Sequence, residues 1–213
     1  MASAAEKRIE PPAFGPEIFD LTMKGLEAGL KVGDIATYGF FACDGDDDAA
    51  EVMTCTDLLP FDCIPVREGD RVAGVLERNG DVPMGTARER MRRLDEGLLV
   101  SSDEPLKGFI PLLVEAPHRL VVHGARIEGI VTRSDVHKLP VRLLAFALVT
   151  HLEMTMAEVI VTRSRGDDWK ERLSARRQRK VIEKFEKLRT ENFDPPLIEL
   201  TDFCDKRDVL API

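Results

Sequence analysis

Two stretches of the chain share one pattern at a fixed separation of 55 residues. The later stretch reads Gly129-Ile130-Val131-Thr132, and the earlier one reads Gly74-Val75-Leu76-Glu77. Two pairs of arginines, Arg71 with Arg126 and Arg78 with Arg133, keep the same separation. Because a repeated supersecondary unit cannot bury its apolar face alone, we expect the two copies to pack on each other. Any ligand cleft is then expected between elements of the pair.

The apolar periodicity and the turn residues predict the same order of elements in both copies. Each copy is expected to contain a strand, a helix and two strands joined by a hairpin, with a connecting helix at Thr86–Leu94 between the copies. The predicted bounds are Tyr38–Ala42, Asp46–Leu58, Cys63–Arg67 and Val72–Glu77 in the first copy, and Gly97–Ser101, Leu106–Glu115, Arg119–His123 and Arg126–Thr132 in the second.

Four regions follow along the chain. Residues 1–29 are expected to form an N-terminal arm and a lead-in helix near Glu17–Gly29, residues 30–83 the first repeat, and residues 84–140 the second. Residues 141–213 are expected to be helical only, since Pro140 suits a helix start. Helices are predicted from Pro140 to about Val161, at Trp169–Thr190, and near Leu197–Asp205.

The bulk composition favours a soluble cytoplasmic protein. The 213 residues carry a formal net charge of −8, which disfavours nucleic-acid binding by the chain as a whole. The four cysteines form no Cys-x-x-Cys pair, so neither a zinc site nor a disulfide framework is expected. No secretory signal is expected at the N-terminus. The most apolar segment, Leu143 to Met156, is shorter than the ~20 residues that a membrane span needs.

The end of the last predicted strand combines two kinds of binding group. Thr132 ends this strand, and Asp135 is expected to open the next helix, where backbone N–H groups attract anions. The hydroxyls of Thr132 and Ser134 are further donors to a phosphate, while the Asp135 carboxylate accepts two hydrogen bonds from a ribose diol. An adenine ring needs an apolar slot, for which Val100, Val121 and Ile130 are the candidates.

These segments resemble a tandem pair of CBS domains, also called a Bateman module. The resemblance covers about residues 30–140. It is carried by Ile64-Pro65-Val66 and Ala73-Gly74-Val75-Leu76 in the first copy, and by Leu120-Val121-Val122 and Gly129 to Asp135 in the second. It implies an α+β fold of two CBS repeats, each a small mixed sheet with two helices, followed by an all-α C-terminal region.

The resemblance also implies a function. Such modules bind adenosine-containing ligands between the copies and pair into disc-like homodimers. It places Asp135 at the ribose, Thr132 at the phosphate, and Ser101 and Arg119 beside the base. The candidate ligands are AMP, ADP, ATP and S-adenosylmethionine. The candidate binding residues are Val100, Ser101, Arg119, Val121, Thr132, Arg133, Ser134 and Asp135.

The two copies differ where a ligand would bind. Glu77 and Gly80 replace Thr132 and Asp135 in the first copy, and a carboxylate at residue 77 would repel a phosphate. One competent site per chain is therefore expected. No catalytic arrangement and no metal-ligand spacing is found, so a regulatory protein is expected and an enzyme is not. In the alternative interpretation, Asp135 is a helix cap, Thr132 merely ends a strand, and the module serves dimerisation only.

A basic segment in the tail leaves a second function open. Arg176, Arg177, Arg179 and Lys180 are close together and could contact a nucleic-acid backbone. Glu183 and Glu186 follow at helical spacing, which favours an ordinary solvated helix face instead. The tail is also faintly similar to HEPN-like helical domains, although the histidine that their nuclease members carry is missing. An RNA-binding or toxin-related effector, switched by the CBS-like pair, is the alternative function.

Overall fold

The computed structural model describes residues 16–78, 80 and 84–211. The chain divides into two compact units, one formed by Asp20–Leu144 and the other by the residues before Asp20 together with those from Ala145 onward. The first unit holds all the strands of the described residues, and the second is helical. The boundary lies within a long helix.

Within the described residues of the first unit, eight strands form two four-stranded mixed sheets. The strands are β1 (Thr37–Tyr38), β2 (Cys43–Asp44), β3 (Cys63–Glu68), β4 (Arg71–Glu77), β5 (Arg92–Arg93), β6 (Leu99–Ser101), β7 (His118–His123) and β8 (Arg126–Thr132). One sheet has the order β2-β3-β4-β5 and the other has the order β1-β8-β7-β6. The first strand of each repeat, β2 or β6, runs parallel to its neighbour, while the hairpins β3–β4 and β7–β8 are antiparallel.

The helices of this unit are short, apart from those at its two ends. They are α1 (Pro16–Gly29), α2 (Ala49–Thr54), α3 (Ala87–Arg90), α4 (Leu106–Phe109), α5 (Leu112–Glu115) and the start of α6 (Leu139–Arg163). Asp48 caps α2, since its carboxylate accepts hydrogen bonds from the N–H groups of Ala50 and Glu51. The run of acids before α2 is therefore a helix start, as predicted.

The two copies exchange their lead-in strands. The strand β1, which precedes the first copy, pairs with β8 of the second copy, placing Thr37 opposite Ile130 and Tyr38 opposite Gly129. The strand β5, which precedes the second copy, pairs with β4 of the first. The exchange keeps the repeat of 55 residues, because the partners Gly74 and Gly129 have that separation. Neither sheet is complete without residues from the other copy.

The repeat extends to local detail. Both hairpins contain a bulge at the same position, between Val66 and Arg67 in one copy and between Val121 and Val122 in the other. Both hairpin turns place a glycine in the left-handed region, at φ 60° for Gly69 and for Gly124. The predicted hairpins, tandem repeats and α+β class are confirmed by this strand order.

Arg78 and Arg133, which are one repeat apart, have the same structural role. The guanidinium of Arg78 donates to the carbonyl oxygens of Met53, Leu58 and Phe61, at 2.5, 3.2 and 3.2 Å. That of Arg133 donates to the carbonyls of Leu113 and Val114, at 2.9 and 2.5 Å. Both side chains satisfy carbonyl groups that the ends of the short helices leave free.

A hydrophobic cluster between the sheets joins the copies. Its buried members come from both, with Cys63 and Val75 from the first copy and Leu120 and Ile130 from the second, together with Leu98. A second cluster packs the other face of the first sheet against α2 and α3. Both faces of the sheet β2-β3-β4-β5 are thus covered, which explains the continuous apolar run in Ile64-Pro65-Val66.

Several predicted elements of this unit differ from the structure. The single strand predicted at Tyr38–Ala42 is replaced by the separate two-residue strands β1 and β2, which belong to different sheets. The predicted helix Thr86–Leu94 ends at Arg90 because the chain then enters β5. The predicted helix Leu106–Glu115 is divided into α4 and α5, with Pro111 between them. Tertiary strand pairing decided the first two cases and proline the third.

The second unit contains the rest of α6, then α7 (Ala175–Thr190) and α8 (Phe203–Leu210), with 3-10 turns at Asp168–Arg172 and Leu197–Leu200. Its core consists of Ile160, Trp169, Leu173, Ile198 and Val209. The predicted helix Trp169–Thr190 begins only at Ala175, because Ser174 forms the N-cap and Asp168–Arg172 is a separate turn. The all-α C-terminal region is confirmed for the described residues.

Among the described residues, α6 is long and apolar enough to cross a membrane by length and composition. Its 25 residues exceed the apolar segment that the sequence predicts. However, Glu153 near its midpoint forms an ion pair with the buried ammonium of Lys206 on α8, at 2.8 Å. Ion pairing at the middle of the helix favours packing against protein over contact with lipid.

The glycines that pair with the exchanged strands offer a matched test of the packing. A Cβ added at Gly74 would lie 2.4 Å from the Arg92 carbonyl oxygen, whereas one added at Gly129 would lie 3.3 Å from its nearest atoms. Gly74→Ala is expected to lower the free energy of unfolding by roughly 1–3 kcal/mol, and Gly129→Ala by clearly less. Urea unfolding of both variants measures the difference, and equal losses would contradict this register.

Candidate functional site

The predicted site residues lie at two ends of the second sheet. Thr132 ends β8 opposite His118, which begins β7. Ser101 ends β6 beside Val122, because β6 and β7 are parallel. These positions are four residue steps apart along β7, which is about 13 Å at the rise of a strand. Ser101 ends its strand, as the predicted bounds have it, but it does not neighbour Thr132.

The carboxylate of Asp135 already has partners on both oxygens. Oδ2 accepts from the Thr132 backbone N–H at 2.6 Å and from the Thr132 hydroxyl at 3.0 Å. Oδ1 lies 2.7 Å from the ammonium of Lys138. Asp135 is only 6% exposed, and the residues that follow Thr132 form a 3-10 turn, Arg133–His137, instead of an α-helix. Asp135 is thus a capping residue in this structure, and its contact with ribose stays a prediction.

Arg133 and Ser134 flank the predicted phosphate position. Ser134 lies exposed in the 3-10 turn after Thr132. Arg133 is directed instead to the carbonyls of Leu113 and Val114 at the end of α5. Its guanidinium therefore stabilises the fold, and a contact with ligand would compete with these hydrogen bonds.

The predicted apolar slot is divided by the pleat of the sheet. Val121 lies opposite Gly129, and its neighbour Leu120 lies opposite Ile130. Successive residues of a strand point to opposite faces, so Val121 and Ile130 cannot line one slot. Val100 pairs with Val121, which is fully buried. The expectation of a single slot formed by all three residues is wrong, while a role for Val100 and Val121 stays a prediction.

The first copy holds an internal anion at the position that corresponds to Thr132. The carboxylate of Glu77 lies 3.2 Å from the guanidinium of Arg92 on β5, which also binds Asp95 at 2.9 Å. Glu77 Oε1 is also 3.2 Å from Nε2 of His118. The strand end of the first copy is therefore occupied by a side-chain carboxylate and its arginine.

His118 lies buried where the two copies meet. Although Nε2 is near Glu77, the contact lacks the alignment of a hydrogen bond, and Nε2 has no other partner among the described residues. A short distance alone does not make a hydrogen bond. Burial lowers the pKa of His118 from 6.5, and this outweighs the opposing effect of Glu77. The imidazole is thus held neutral near physiological pH.

Arg119 is a half-buried cation at the same end of the sheet. Its Cα lies opposite Val131, the residue before Thr132, and its guanidinium donates to the carbonyl of His118 at 3.2 Å. Burial lowers the pKa of Arg119, and the nearby charge of Arg92 lowers it further. No carboxylate of the described residues forms an ion pair with Arg119. An anion at this strand end would offset its burial.

Several contributors escaped the sequence prediction. Glu77 was recognised only as a departure from the pattern, although it pairs with Arg92. His118 and Lys138 were not recognised as parts of the site. The 55-residue offset was a usable signal for His118, because it relates this residue to Cys63, the partner of Glu77. The spacing of three residues between Asp135 and Lys138 was a usable signal for their ion pair, whereas no local signal indicated the contacts of Lys138 with Ile35 and Thr37.

The four cysteines are free, and the two buried ones, Cys43 and Cys63, are expected to be unreactive. Burial raises the pKa of Cys43 to about 11 and that of Cys63 to about 12, so both remain thiols at neutral pH. Among the described residues, no group of three or more metal-ligating side chains is found.

Comparisons with protein-family models and with curated proteins find no match. Solved CBS-domain structures are similar over about half of the chain. One is the CBS domains of a transcriptional regulator from Streptococcus pneumoniae, with 19% identity, TM-score 0.43, and coverage of 51% of this chain and 97% of that one.

Two further similar structures contain adenine nucleotides. One is the CBS domain of a bacterial CNNM/CorC family Mg2+ transporter in complex with ATP, at 15% identity and TM-score 0.46, covering 60% of this chain and 98% of that one. The other is CBSX2 in complex with AMP, at 18% identity and TM-score 0.45, covering 54% of this chain and 99% of that one. At these identities the similarity concerns the fold of about half of the chain and no more.

The buried, neutral His118 predicts a pH dependence of stability. Its pKa is lower in the folded protein than the 6.5 of the free side chain, so below about pH 6.5 the unfolded chain binds the proton more readily. The free energy of unfolding is expected to fall as the pH drops below this value. The fall should be smaller in His118→Gln, which cannot titrate. Urea unfolding between about pH 8 and about pH 5.5 measures both, and parallel pH profiles would contradict a buried neutral imidazole.

Proposed function

We propose that the protein is a regulatory sensor that binds one adenine nucleotide per chain at the second CBS-like copy. The observation that carries the proposal is the half-buried guanidinium of Arg119, which has no carboxylate partner among the described residues and lies at the same sheet end as Thr132. A partly desolvated cation without an ion-pair partner at this end of the sheet suits a phosphate group.

The first copy supports a count of one. Its corresponding strand end already contains the Glu77 carboxylate, which pairs with Arg92 at 3.2 Å. A phosphate at that position would lie next to the Glu77 carboxylate, and the Arg92 guanidinium there is already paired with that carboxylate. The second copy has the uncharged Thr132 instead, so the repeat leaves one position for an external anion.

The charge of the site also ranks the candidate ligands. AMP, ADP and ATP bring phosphates that Arg119 can bind, whereas S-adenosylmethionine carries a sulfonium cation near its ribose. Repulsion between that cation and Arg119 disfavours the last ligand. We therefore expect phosphate-bearing adenine ligands to bind more tightly than S-adenosylmethionine.

The proposed role is regulatory and not catalytic. Ligand bound at the junction of the copies would favour one of their relative arrangements, and α6, which begins directly after the site, would transmit the change to the helical tail. Homodimerisation through apolar side chains around the second copy belongs to the proposal, as does a cytoplasmic location. The exposed candidates for that interface are Leu112, Val114, Leu139 and Leu143.

Replacing Arg119 tests the proposed site. Arg119→Gln is expected to weaken AMP and ATP binding by roughly 10- to 100-fold, because it removes one charge-assisted hydrogen bond to a phosphate. Arg126→Gln, at the exposed start of β8, is the matched control and should bind as the unaltered protein does. Isothermal calorimetry of all three proteins measures the affinities. Equal affinities for Arg119→Gln and the unaltered protein would contradict a phosphate at Arg119.

We infer that a nucleic-acid backbone is the second candidate ligand, at the helical unit. On α7, Arg176, Lys180, Lys184 and Lys187 are exposed and recur at helical spacing, and none has an ion-pair partner among the described residues. We call these four residues the basic row. Successive members are separated by about 6 Å along the helix axis or slightly less. A straight row of unpaired cations suits a regular line of phosphates.

The membership of this surface differs from the sequence prediction. Arg177 is directed away from solvent toward the carboxylates of Asp202 and Asp205, with an Nε–Oδ1 distance of 2.7 Å to Asp205. It therefore stabilises the packing of α7 on α8, and these contacts disfavour its inclusion in the contact surface. Arg179 is exposed but lies to one side of the row. Of the large apolar residues of α7, Val181 is buried, Phe185 and Leu188 are partly buried, and Ile182 is exposed, and so little exposed apolar surface disfavours insertion of this helix into a membrane surface.

Salt dependence tests the nucleic-acid candidate. Four phosphate contacts predict that log K falls with log salt at a slope of about −3.6 for duplex and about −2.8 for single strands. Lys180→Gln should reduce the magnitude of this slope by somewhat under one, while Glu183→Gln should tighten binding. Fluorescence anisotropy with labelled RNA and DNA measures both. Absence of binding at low salt would remove this candidate.

A further inference from the structure

We propose that Lys138 is a latch that competes with the ligand for Asp135 and ties that site to the exchanged strand β1. The inference rests on the proposed function, because it concerns the same second-copy site. In this proposal Lys138 determines when the Asp135 carboxylate can bind a ligand. Its release also determines when the segment that leads into β1 can move.

The ammonium of Lys138 has all three of its N–H donors engaged. Nζ lies 2.7 Å from Asp135 Oδ1, 2.6 Å from the Ile35 carbonyl oxygen and 3.1 Å from the Thr37 hydroxyl. A lysine ammonium has three donors and no acceptor, so these contacts saturate it. The Lys138 side chain is nevertheless 39% exposed, so water can hydrate its ammonium group when it dissociates from Asp135.

Asp135 cannot bind a ribose diol while this arrangement persists. Two hydroxyls donating to a carboxylate need an unengaged lone pair on each oxygen or two on one. Oδ2 already accepts two hydrogen bonds from Thr132, and Oδ1 is paired with Lys138. The side chain of Asp135 is only 8% exposed. A diol must therefore take the place of the ammonium on Oδ1.

The other partners of Lys138 belong to the segment that leads into β1. Ile35 is fully buried, and Thr37 is the residue of β1 that pairs with Ile130. The lysine thus fastens this segment to the second copy beyond the two-residue ladder of β1. Because α6 begins at Leu139, one residue connects the carboxylate, the lead-in segment and the long helix. Displacement of Lys138 loosens the lead-in segment when a ligand arrives.

The first copy has no counterpart of this lysine. The residue 55 positions before Lys138 is Pro83, which has no amine, and the residue 55 positions before Asp135 is Gly80. Carboxylate and lysine therefore occur together in the copy that keeps the binding motif and are both missing in the other. A lysine that served only to hold a repeat together would be expected in both copies.

Lys138→Met tests the latch, with Lys107→Met as the matched control. Lys107 also forms a lysine–carboxylate pair in the same unit, at 2.6 Å from Glu27, and lies away from Asp135. Isothermal calorimetry with AMP and with ATP is combined with hydrogen exchange of the full-length protein. The amides of Ile35 and Ala36, which both donate to the Val32 carbonyl at 3.1 Å, report on the lead-in segment.

The latch predicts three results. In the unaltered protein, saturating ATP should speed exchange at Ile35 and Ala36. Lys138→Met should bind AMP and ATP about tenfold more tightly because the competitor is gone. Its exchange at these amides should already be fast without ligand and should not respond to ATP. Lys107→Met should match the unaltered protein in both measurements. Thr37→Val, which keeps the charge but removes one acceptor, should change exchange in the same direction as Lys138→Met, by less.

The contrary outcomes are distinct. Equal ATP affinity in Lys138→Met and the unaltered protein would overturn the latch and leave the proposed function standing. Weaker binding in Lys138→Met would make the lysine a ligand contact and also overturn the latch. No binding of AMP or ATP to either protein would overturn the proposed function itself. Should Lys138→Met fail to fold, an unchanged exchange pattern in Thr37→Val would overturn the latch.

Discussion

The reciprocal exchange of lead-in strands determines the architecture of the first unit. Each four-stranded sheet takes one edge strand from the chain that leads into the other copy, at Thr37–Tyr38 and at Arg92–Arg93. The cluster between the sheets is likewise built from both copies. Neither copy can complete its hydrogen-bond ladder or bury its apolar face alone. The side chains at the strand ends are therefore positioned by both copies together.

Within this nearly symmetric frame, a few side chains create the functional asymmetry. At one strand end, the Glu77 carboxylate is neutralised by Arg92 of the exchanged strand. At the other, Thr132 is uncharged and Arg119 has no carboxylate partner among the described residues. The same backbone arrangement thus has an anion position occupied by Glu77 in the first copy and a corresponding unoccupied position in the second. The buried His118 lies between them and, being neutral, adds no charge to either.

The sequence predicted the repeat, both hairpins and the helical tail, because these features have strong periodic signals. It could not predict the exchange of strands, since two-residue strands such as β1 show no alternation of polar and apolar residues. Ser101 was expected beside the base, but the parallel pairing of β6 with β7 sets it beside Val122, at the sheet end away from Thr132. The contact of Lys138 with Ile35 was missed because the two residues are 103 positions apart in the chain, although its pairing with Asp135 spans only three. Contacts of that range leave no local pattern.

The account as a whole depends on one adenine nucleotide binding to each chain. Native mass spectrometry of the full-length protein with increasing ATP counts bound ligands directly. The account predicts that each chain takes up a single nucleotide, and that Arg119→Gln takes up less at the same concentration. Two nucleotides per chain would contradict the filled first copy, and none would contradict the sensor.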